Sequence, residues 1–331
     1  MKFFFFFLLC CFLALAGYFY YDYNNSINSP VTLSDTNRVF TIEKGWSAKR
    51  VAEELKQEGI IDKSHWFYAH ARLTEKGVKI KSGEFNLLGN PTIPELLDIF
   101  VEGQTVQYVG RIIEGLTFKQ IRQRLAENKD LVQTMGDLDN AGIMSALGLE
   151  GQHPEGMFFA DTYQFPKQTT DVDFLKRANA TLIKVLEEEW QARAADLPLA
   201  NQYEALILAS IVEKETAVAA ERPLIAGVFM SRLRIKMRLQ TDPTVIYGMG
   251  DSYDGNIRRK DLTTDTPYNT YTRAGLPPTP ISMVGREAIH AVMHPEATTA
   301  LYFVSKGDGT HQFSDTVEQH NAAVRKYQLK R

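Results

Sequence analysis

From Phe3 to Tyr21 the run FFFFFLLCCFLALAGYFYY carries no charged side chain, and a stretch of that length can cross the ~30 Å hydrocarbon core of a bilayer as one helix. A cleaved signal peptide has a shorter apolar region of about 7–15 residues and a small-residue cleavage site, so residues 1–23 are expected to form a transmembrane helix. Tyr18, Tyr20, Tyr21 and Tyr23 gather at its far end, where amphipathic rings suit the membrane interface, while Lys2 and the amino terminus hold the near end inside. The expected arrangement is single-pass in the cytoplasmic (inner) membrane, with the amino terminus cytoplasmic and the body of the chain periplasmic. Residues 24–38, opening NNSINSPVTLSDT, read as a polar tether.

Beyond the tether one local pattern recurs: a β-rich run, a turn with Gly or Asn, a hydroxyl residue, then apolar positions at helical spacing. Gly45-Trp46-Ser47 leads into AKRVAEEL, Asn90-Pro91-Thr92 into IPELLDIF, and Gly115-Leu116-Thr117 into FKQIRQRL. Each hydroxyl can accept a hydrogen bond from the free N–H groups of the first helical turn, so three helix starts are predicted. The intervals are too uneven for a solenoid, and compact β-plus-helix units follow instead. The first two units, residues 39–105, resemble a LysM-like module, a small fold associated with glycans that contain N-acetylglucosamine. A spacer without sugar affinity fits the same pattern. Residues 106–331 then form a larger mixed α+β domain. Gly307-Asp308-Gly309 predicts a hairpin turn between LYFVSK and THQFS, and TVEQHNAAVRKYQLKR a final amphipathic helix.

Within that domain YEALILASIVEKET, residues 203–216, is apolar on every face from Ala205 to Val212, the mark of a helix buried all round. It ends in Glu213-Lys214-Glu215, where the helix dipole is negative and water scarce. Both effects disfavour a charged carboxylate. A carboxylic acid that stays protonated near neutral pH is what glycosidic cleavage requires. At about 100° per residue Glu215 lies over Val212, Ile211 and Leu208, and Glu213 over Ser210, Ala209 and Leu206, so spacing does not choose between them.

Composition narrows the alternatives. With 331 residues, 44% apolar and 23% charged, the chain is long enough for two or more cored domains. Lys+Arg 37 against Asp+Glu 40 gives a net charge of −3 and no basic field for a polyanion, so nucleic acid is not an expected partner. Its two cysteines, Cys10 and Cys11, sit side by side in the apolar run, leaving the body without disulfides or thiolate metal ligands. The residues before Cys10 are Leu8 and Leu9, which lack the small residue of a lipidation site. His290 and His294 are four apart and could face one metal, but the Glu of an H-E-x-x-H pattern is missing and no third ligand is evident in the sequence, so no metal is expected.

The stretches ALILASIVEKETAVAAER, VFMSRLRIKMRLQTDPTVIYGMG, PYNTYTRAGLPPTPIS and LYFVSKGDGTHQFS resemble the YceG-like catalytic domain of the endolytic murein transglycosylases, a likeness that covers nearly the whole chain. In that family the catalytic glutamate directly precedes a small hydroxyl residue, which points to Glu215 before Thr216, with Glu213 second. The resemblance implies lytic transglycosylation of peptidoglycan: the bond between N-acetylmuramic acid and N-acetylglucosamine is cut and a 1,6-anhydro end is left, which ends a glycan strand. No cofactor is implied. Peptidoglycan synthases (penicillin-binding proteins) at the same membrane are the implied protein partners. A non-catalytic wall-binding scaffold is the alternative, and an exported metallopeptidase is disfavoured by the scarcity of ligands.

Thr241 or Asp242 before Pro243 reads as a helix cap, and the resemblance implies Gln240, Thr241 and Asp242 as candidates for sugar hydrogen bonds. Tyr247 is a candidate for stacking on a ring. Tyr268, Asn269 and Tyr271 mix aromatic faces with an amide on a loop, a composition suited to carbohydrate, with core packing as the alternative. Glu155 to Tyr163, EGMFFADTY, resembles a further family segment, which places it at the cleft floor, and a turn with packed aromatics fits the same residues. Arg232, Arg234, Lys236 and Arg238 read as a solvated basic face.

Overall fold

The computed structural model describes residues 2–31, 33 and 37–329. Its thirteen α-helices and three two-stranded sheets, counted among the described residues, make a mixed α+β fold. The chain divides into two compact units, residues 1–108 with 164–168, and residues 109–163 with 169–331.

In the first unit α1 (Lys2–Asn28) is followed by β1 (Asn37–Ile42), α2 (Ala48–Gln57), α3 (Ser64–Leu73), β2 (Gly83–Leu88) and α4 (Ile93–Glu102). α1 is long and apolar enough to cross a membrane, with mean hydropathy 2.2, and its apolar stretch is exposed. β1 and β2 pair antiparallel from Asn37 opposite Leu88 to Ile42 opposite Gly83. Every second residue of β2 points inward, so Phe85 and Leu87 join Phe40, Phe67 and Phe100 in a fully buried core. The predicted caps are present. Ser47 accepts from the Arg50 N–H, and Thr92 forms a capping box with Glu95, whose carboxylate accepts from the Thr92 N–H at 2.7 Å.

The tether differs from expectation. Asn24 to Asn28 continue α1 as helix, and its end is bound to α3: Tyr23 Oη lies 2.8 Å from His70 Nδ1, and Trp66 Nε1 donates to Asp22 at 2.9 Å. Ile27 is buried in the same core as Phe40. Burial of Ile27, with the bonds of Asp22 and Tyr23 to α3, outweighs the turn propensity of the Asn and Ser residues. The expected tether residues 32 and 34–36 lie outside the described residues.

β3 (Gln107–Ile112) and β4 (Asp161–Pro166) form the second sheet. In the second unit, α5 (Phe118–Glu127) starts at Thr117, which forms a capping box with Gln120. Next come α6 (Asn140–Leu147), α7 (Asp171–Gln191), α8 (Gln202–Glu215), α9 (Arg222–Arg234), α10 (Asp242–Met249), α11 (Arg259–Thr263) and α12 (Arg286–Met293). β5 (Tyr302–Ser305) and β6 (His311–Ser314) make the hairpin predicted around Gly307-Asp308-Gly309, and α13 (Val317–Tyr327) is the final helix.

α8 is the axis of this unit. All of Ala205–Val212 is buried, and α7, α9, α10 and α12 pack against it. Ser210 takes part without leaving an orphan polar group: its hydroxyl accepts from the Ile281 N–H at 2.9 Å and its carbonyl from the Ser282 hydroxyl at 3.2 Å. Gly227 in α9 lets the chain cross closely, since a Cβ there would stand 2.2 Å from the Glu296 carbonyl oxygen.

Candidate active site

α8 ends at Glu215 because Thr216 turns to an extended conformation, with φ −146° and ψ 136°. The buried body of the helix thereby delivers Glu213, Lys214 and Glu215 to one place. Around them opens a cavity of about 410 Å³, lined by these three residues with Gly115, Leu116 and Arg222 among others. Lys214 donates to the Gly115 carbonyl at 3.0 Å and so ties the helix end to the loop before α5.

The two carboxylates are held differently. Glu215 Oε1 accepts a hydrogen bond from the Thr241 hydroxyl. Burial pushes the Glu215 carboxyl up to about 7 and Asp242 adds to the rise, while the Thr241 hydrogen bond, His311 and Arg232 pull it down. Near neutral pH it is a mixture of acid and carboxylate. Glu213 is enclosed by an ion pair with Arg222 at 3.3 Å and by the Gly285 N–H at 3.1 Å. Burial raises its pKa as well, opposed by the Gly285 N–H and by Arg222. With both oxygens engaged, Glu213 joins α8 to α9 and α12. Glu215 keeps an oxygen free of any described partner.

Thr241 is the N-cap residue of α10, as one of the two sequence alternatives had it, yet its hydroxyl does not cap the helix. It turns to Glu215 instead. The preceding residue makes this possible: Gln240 adopts φ 47°, a left-handed conformation uncommon outside glycine, and its N–H donates to the Thr270 carbonyl at 3.2 Å. Thr241 is itself 2% exposed, and its N–H donates to the Thr270 hydroxyl at 3.1 Å.

The remaining candidates separate. Asp242 accepts from the Tyr271 hydroxyl at 2.6 Å, beside Glu215, and burial pushes the Tyr271 phenol upward. Tyr247 and Tyr268 meet edge to face at 4.7 Å, the first donating to Glu155 at 3.1 Å and the second within 2.9 Å of the Thr279 hydroxyl. Asn269 does not offer its amide to a ligand. At 1% exposure it donates to the carbonyls of Asp261, Leu262 and Thr264 and accepts from the Tyr271 N–H, so it holds the loop together. Composition alone suggested a sugar contact; the loop's own unpaired carbonyls claim the amide first.

Sequence reasoning named Glu155 only within a segment. It is 3% exposed, accepts from the Phe118 N–H at 3.0 Å at the start of α5, and burial pushes it up to about 7. The supposed basic face is also corrected: Arg232 is buried, donating to the Leu301 and Leu239 carbonyls at 2.6 and 2.5 Å and lying 5.4 Å over the Tyr302 ring. His311, on β6, lies 2.7 Å from Glu221, and its electrostatic influence reaches Glu215. Nothing in its sequence neighbourhood signals that position. His290 and His294 find a partner from another helix in Glu189.

Residues 40–326 match the family described as YceG-like. The chain belongs to the YceG-like family. It is 30% identical over 324 residues to the endolytic murein transglycosylase of Bacillus subtilis, covering 92% of this chain and 89% of that protein. It is 25% identical to the endolytic murein transglycosylase of Streptococcus pneumoniae serotype 2, where the match spans 94% of this chain and 62% of the longer relative. The crystal structure of a yceG-like protein from Listeria monocytogenes is similar with TM-score 0.53 at 30% identity, covering 87% of this chain and 99% of that one. The YceG-like match takes in the whole of α8 and α10, which meet at Glu215, and the β5–β6 hairpin.

Proposed function

We propose that this chain is a membrane-anchored lytic transglycosylase of peptidoglycan, with Glu215 as its acid and base and Glu213 as a structural neighbour. The observation that carries the reading is a carboxyl with pKa near 7, at the end of a buried helix, opening into a cavity of about 410 Å³. The names of its relatives supply the substrate class, murein.

The protonated Glu215 gives its proton to the oxygen that links N-acetylmuramic acid to N-acetylglucosamine, and the bond from that oxygen to the anomeric carbon breaks. The resulting carboxylate takes the proton of the muramic acid 6-hydroxyl as this oxygen bonds to the anomeric carbon. One proton has moved between two oxygens, and a 1,6-anhydro end remains. A group poised near 7 serves both halves. Thr241 holds the carboxyl, and Asp242 with Tyr271 forms a polar rim for the sugar. Gln240, Tyr247 and Tyr268 complete the proposed sugar contacts. The reaction as written calls for no cofactor.

In this reading α1 anchors the protein in the inner membrane with Lys2 on the cytoplasmic side and both folded units on the periplasmic side. The order β1-α2-α3-β2 with antiparallel strands supports a LysM-like first unit. Peptidoglycan synthases at the same membrane, whose nascent strands would be ended, are the proposed partners.

The test is to incubate the full-length protein in detergent with purified peptidoglycan in ¹⁸O-labelled water and weigh the products. Anhydro-ended fragments without label are expected. Labelled reducing ends would mean hydrolysis, and intact glycan with retained protein would mean a scaffold.

A further inference from the structure

α7 and α12 carry a cluster that takes no part in the proposed reaction. Glu189, in the last turn of α7, is 8% exposed. His290 lies in α12 and His294 is its C-cap, four residues on, so both imidazoles stand on one side of the helix with ring centres 4.4 Å apart. One carboxylate oxygen faces both: Glu189 Oε2 is 2.8 Å from His290 Nδ1 and 3.8 Å from His294 Nε2. A ligand atom from each of the three residues lies within 4.8 Å of the others.

We propose that Glu189, His290 and His294 form a binding site for a late first-row divalent cation, zinc foremost, which clamps α7 to α12. Two imidazole nitrogens and one carboxylate oxygen are a donor set suited to zinc, with water as the fourth ligand. Ligand atoms around a tetrahedral zinc stand roughly 3.3 Å apart, given bonds of about 2.0–2.2 Å. The 2.8 and 3.8 Å separations bracket that spacing, and drawing in the widest pair, at most 4.8 Å apart, takes rotamer adjustments of up to about 1.5 Å.

The surroundings favour it. Glu189 Oε1 is held by Arg286 at 3.0 Å, which leaves Oε2 as a single oriented ligand, and ligating carboxylates are commonly anchored in this way by an outer partner. Arg286 is itself balanced by Glu188 at 2.9 Å, so the Glu189 charge is not cancelled. His290, with its side chain 58% exposed, gives the ion a path from solvent. Ala291 follows His290 where a zinc peptidase helix carries its general base, so the cluster lacks the base of that chemistry. The clamp has one further connection. Through Gly285 and Glu287, the start of α12 touches Glu213 and Arg222 at the wall of the proposed active-site cavity.

The experiment is calorimetric titration of chelator-treated full-length protein in detergent with zinc chloride, with magnesium chloride in parallel. One zinc per chain and no magnesium uptake are expected, with zinc affinity at least about tenfold weaker in His290→Ala and again in His294→Ala. Zinc should also raise the melting temperature of the parent protein but not of His294→Ala. Cobalt substitution reports the geometry independently: visible absorption of a four-coordinate ion is expected in the parent and lost in the double variant. Absence of zinc uptake by the parent, or uptake unchanged in the double variant, overturns the proposal. Neither result bears on glycan cleavage, which is measured separately.

Discussion

The Thr241 hydroxyl, at the start of α10, donates to Glu215 Oε1 at the end of α8. A residue placed to cap one helix instead serves the carboxyl that ends another. Its hydrogen bond stabilises the carboxylate and opposes the rise that burial imposes.

Removing that bond has a definite sign. Thr241→Val keeps the shape and loses the hydroxyl, so Glu215 should hold its proton to higher pH. The alkaline limb of kcat/KM is expected to move upward, with maximal activity reduced about tenfold through lost positioning. A pH profile of the variant checks this; a uniform drop with an unmoved limb would assign Thr241 a packing role only.

Glu155 makes stability depend on pH. Its folded value of about 7 lies above the ordinary 4.5, so its stabilising contribution is full below pH 4.5, declines between 4.5 and 7, and is absent above. Glu155→Gln keeps an acceptor for the Phe118 N–H, sets an amide N–H against the Tyr247 hydroxyl, which can turn to accept it, and removes the titration. The melting temperature of the parent, relative to this variant, should fall from pH 4.5 to 7. Glu155→Ala should cost roughly 2–4 kcal/mol below pH 4.5, because the buried donors lose their acceptor and a void remains, and progressively less as the pH rises to 7.

What was legible in the sequence was what is local. Ser47, Thr92 and Thr117 start helices because capping needs only residues three apart, and the burial of Ala205–Val212 follows from an unbroken apolar run. Resemblance separates Glu215 from Glu213, since helical spacing places both beside apolar stripes. Partners supplied from a distance stayed hidden. Thr241 looks like an ordinary cap until the turn at Gln240 is seen, and Glu189 lies a hundred residues before the histidines it faces. Arg232 looked solvated because charge patterning carries no sign of the two carbonyls that claim its guanidinium.

Arg232 and Arg234 should therefore behave differently. Arg232→Ala leaves the Leu301 and Leu239 carbonyls without their donor and is expected to cost about 3–5 kcal/mol in denaturant unfolding. Arg234→Ala, at the exposed position beside it, should stay within about 0.5 kcal/mol.

Asn269→Ala should loosen the loop that carries Thr270 and Tyr271. Four hydrogen bonds are lost in a buried setting, and roughly 2–4 kcal/mol of stability with them. Thermal melts of the full-length protein check the magnitude; a change below about 0.5 kcal/mol would return Asn269 to the candidate sugar contacts.

The most direct measurement compares the rate of anhydro-product release by Glu215→Gln and Glu213→Gln against the parent at pH 6, with melting temperatures alongside. A loss of about 10²–10⁴-fold is expected for Glu215→Gln with its fold intact, and no more than about tenfold for Glu213→Gln. Near-parental cleavage by Glu215→Gln, or the large loss appearing at Glu213 alone, would contradict the assignment of Glu215 as the proton donor.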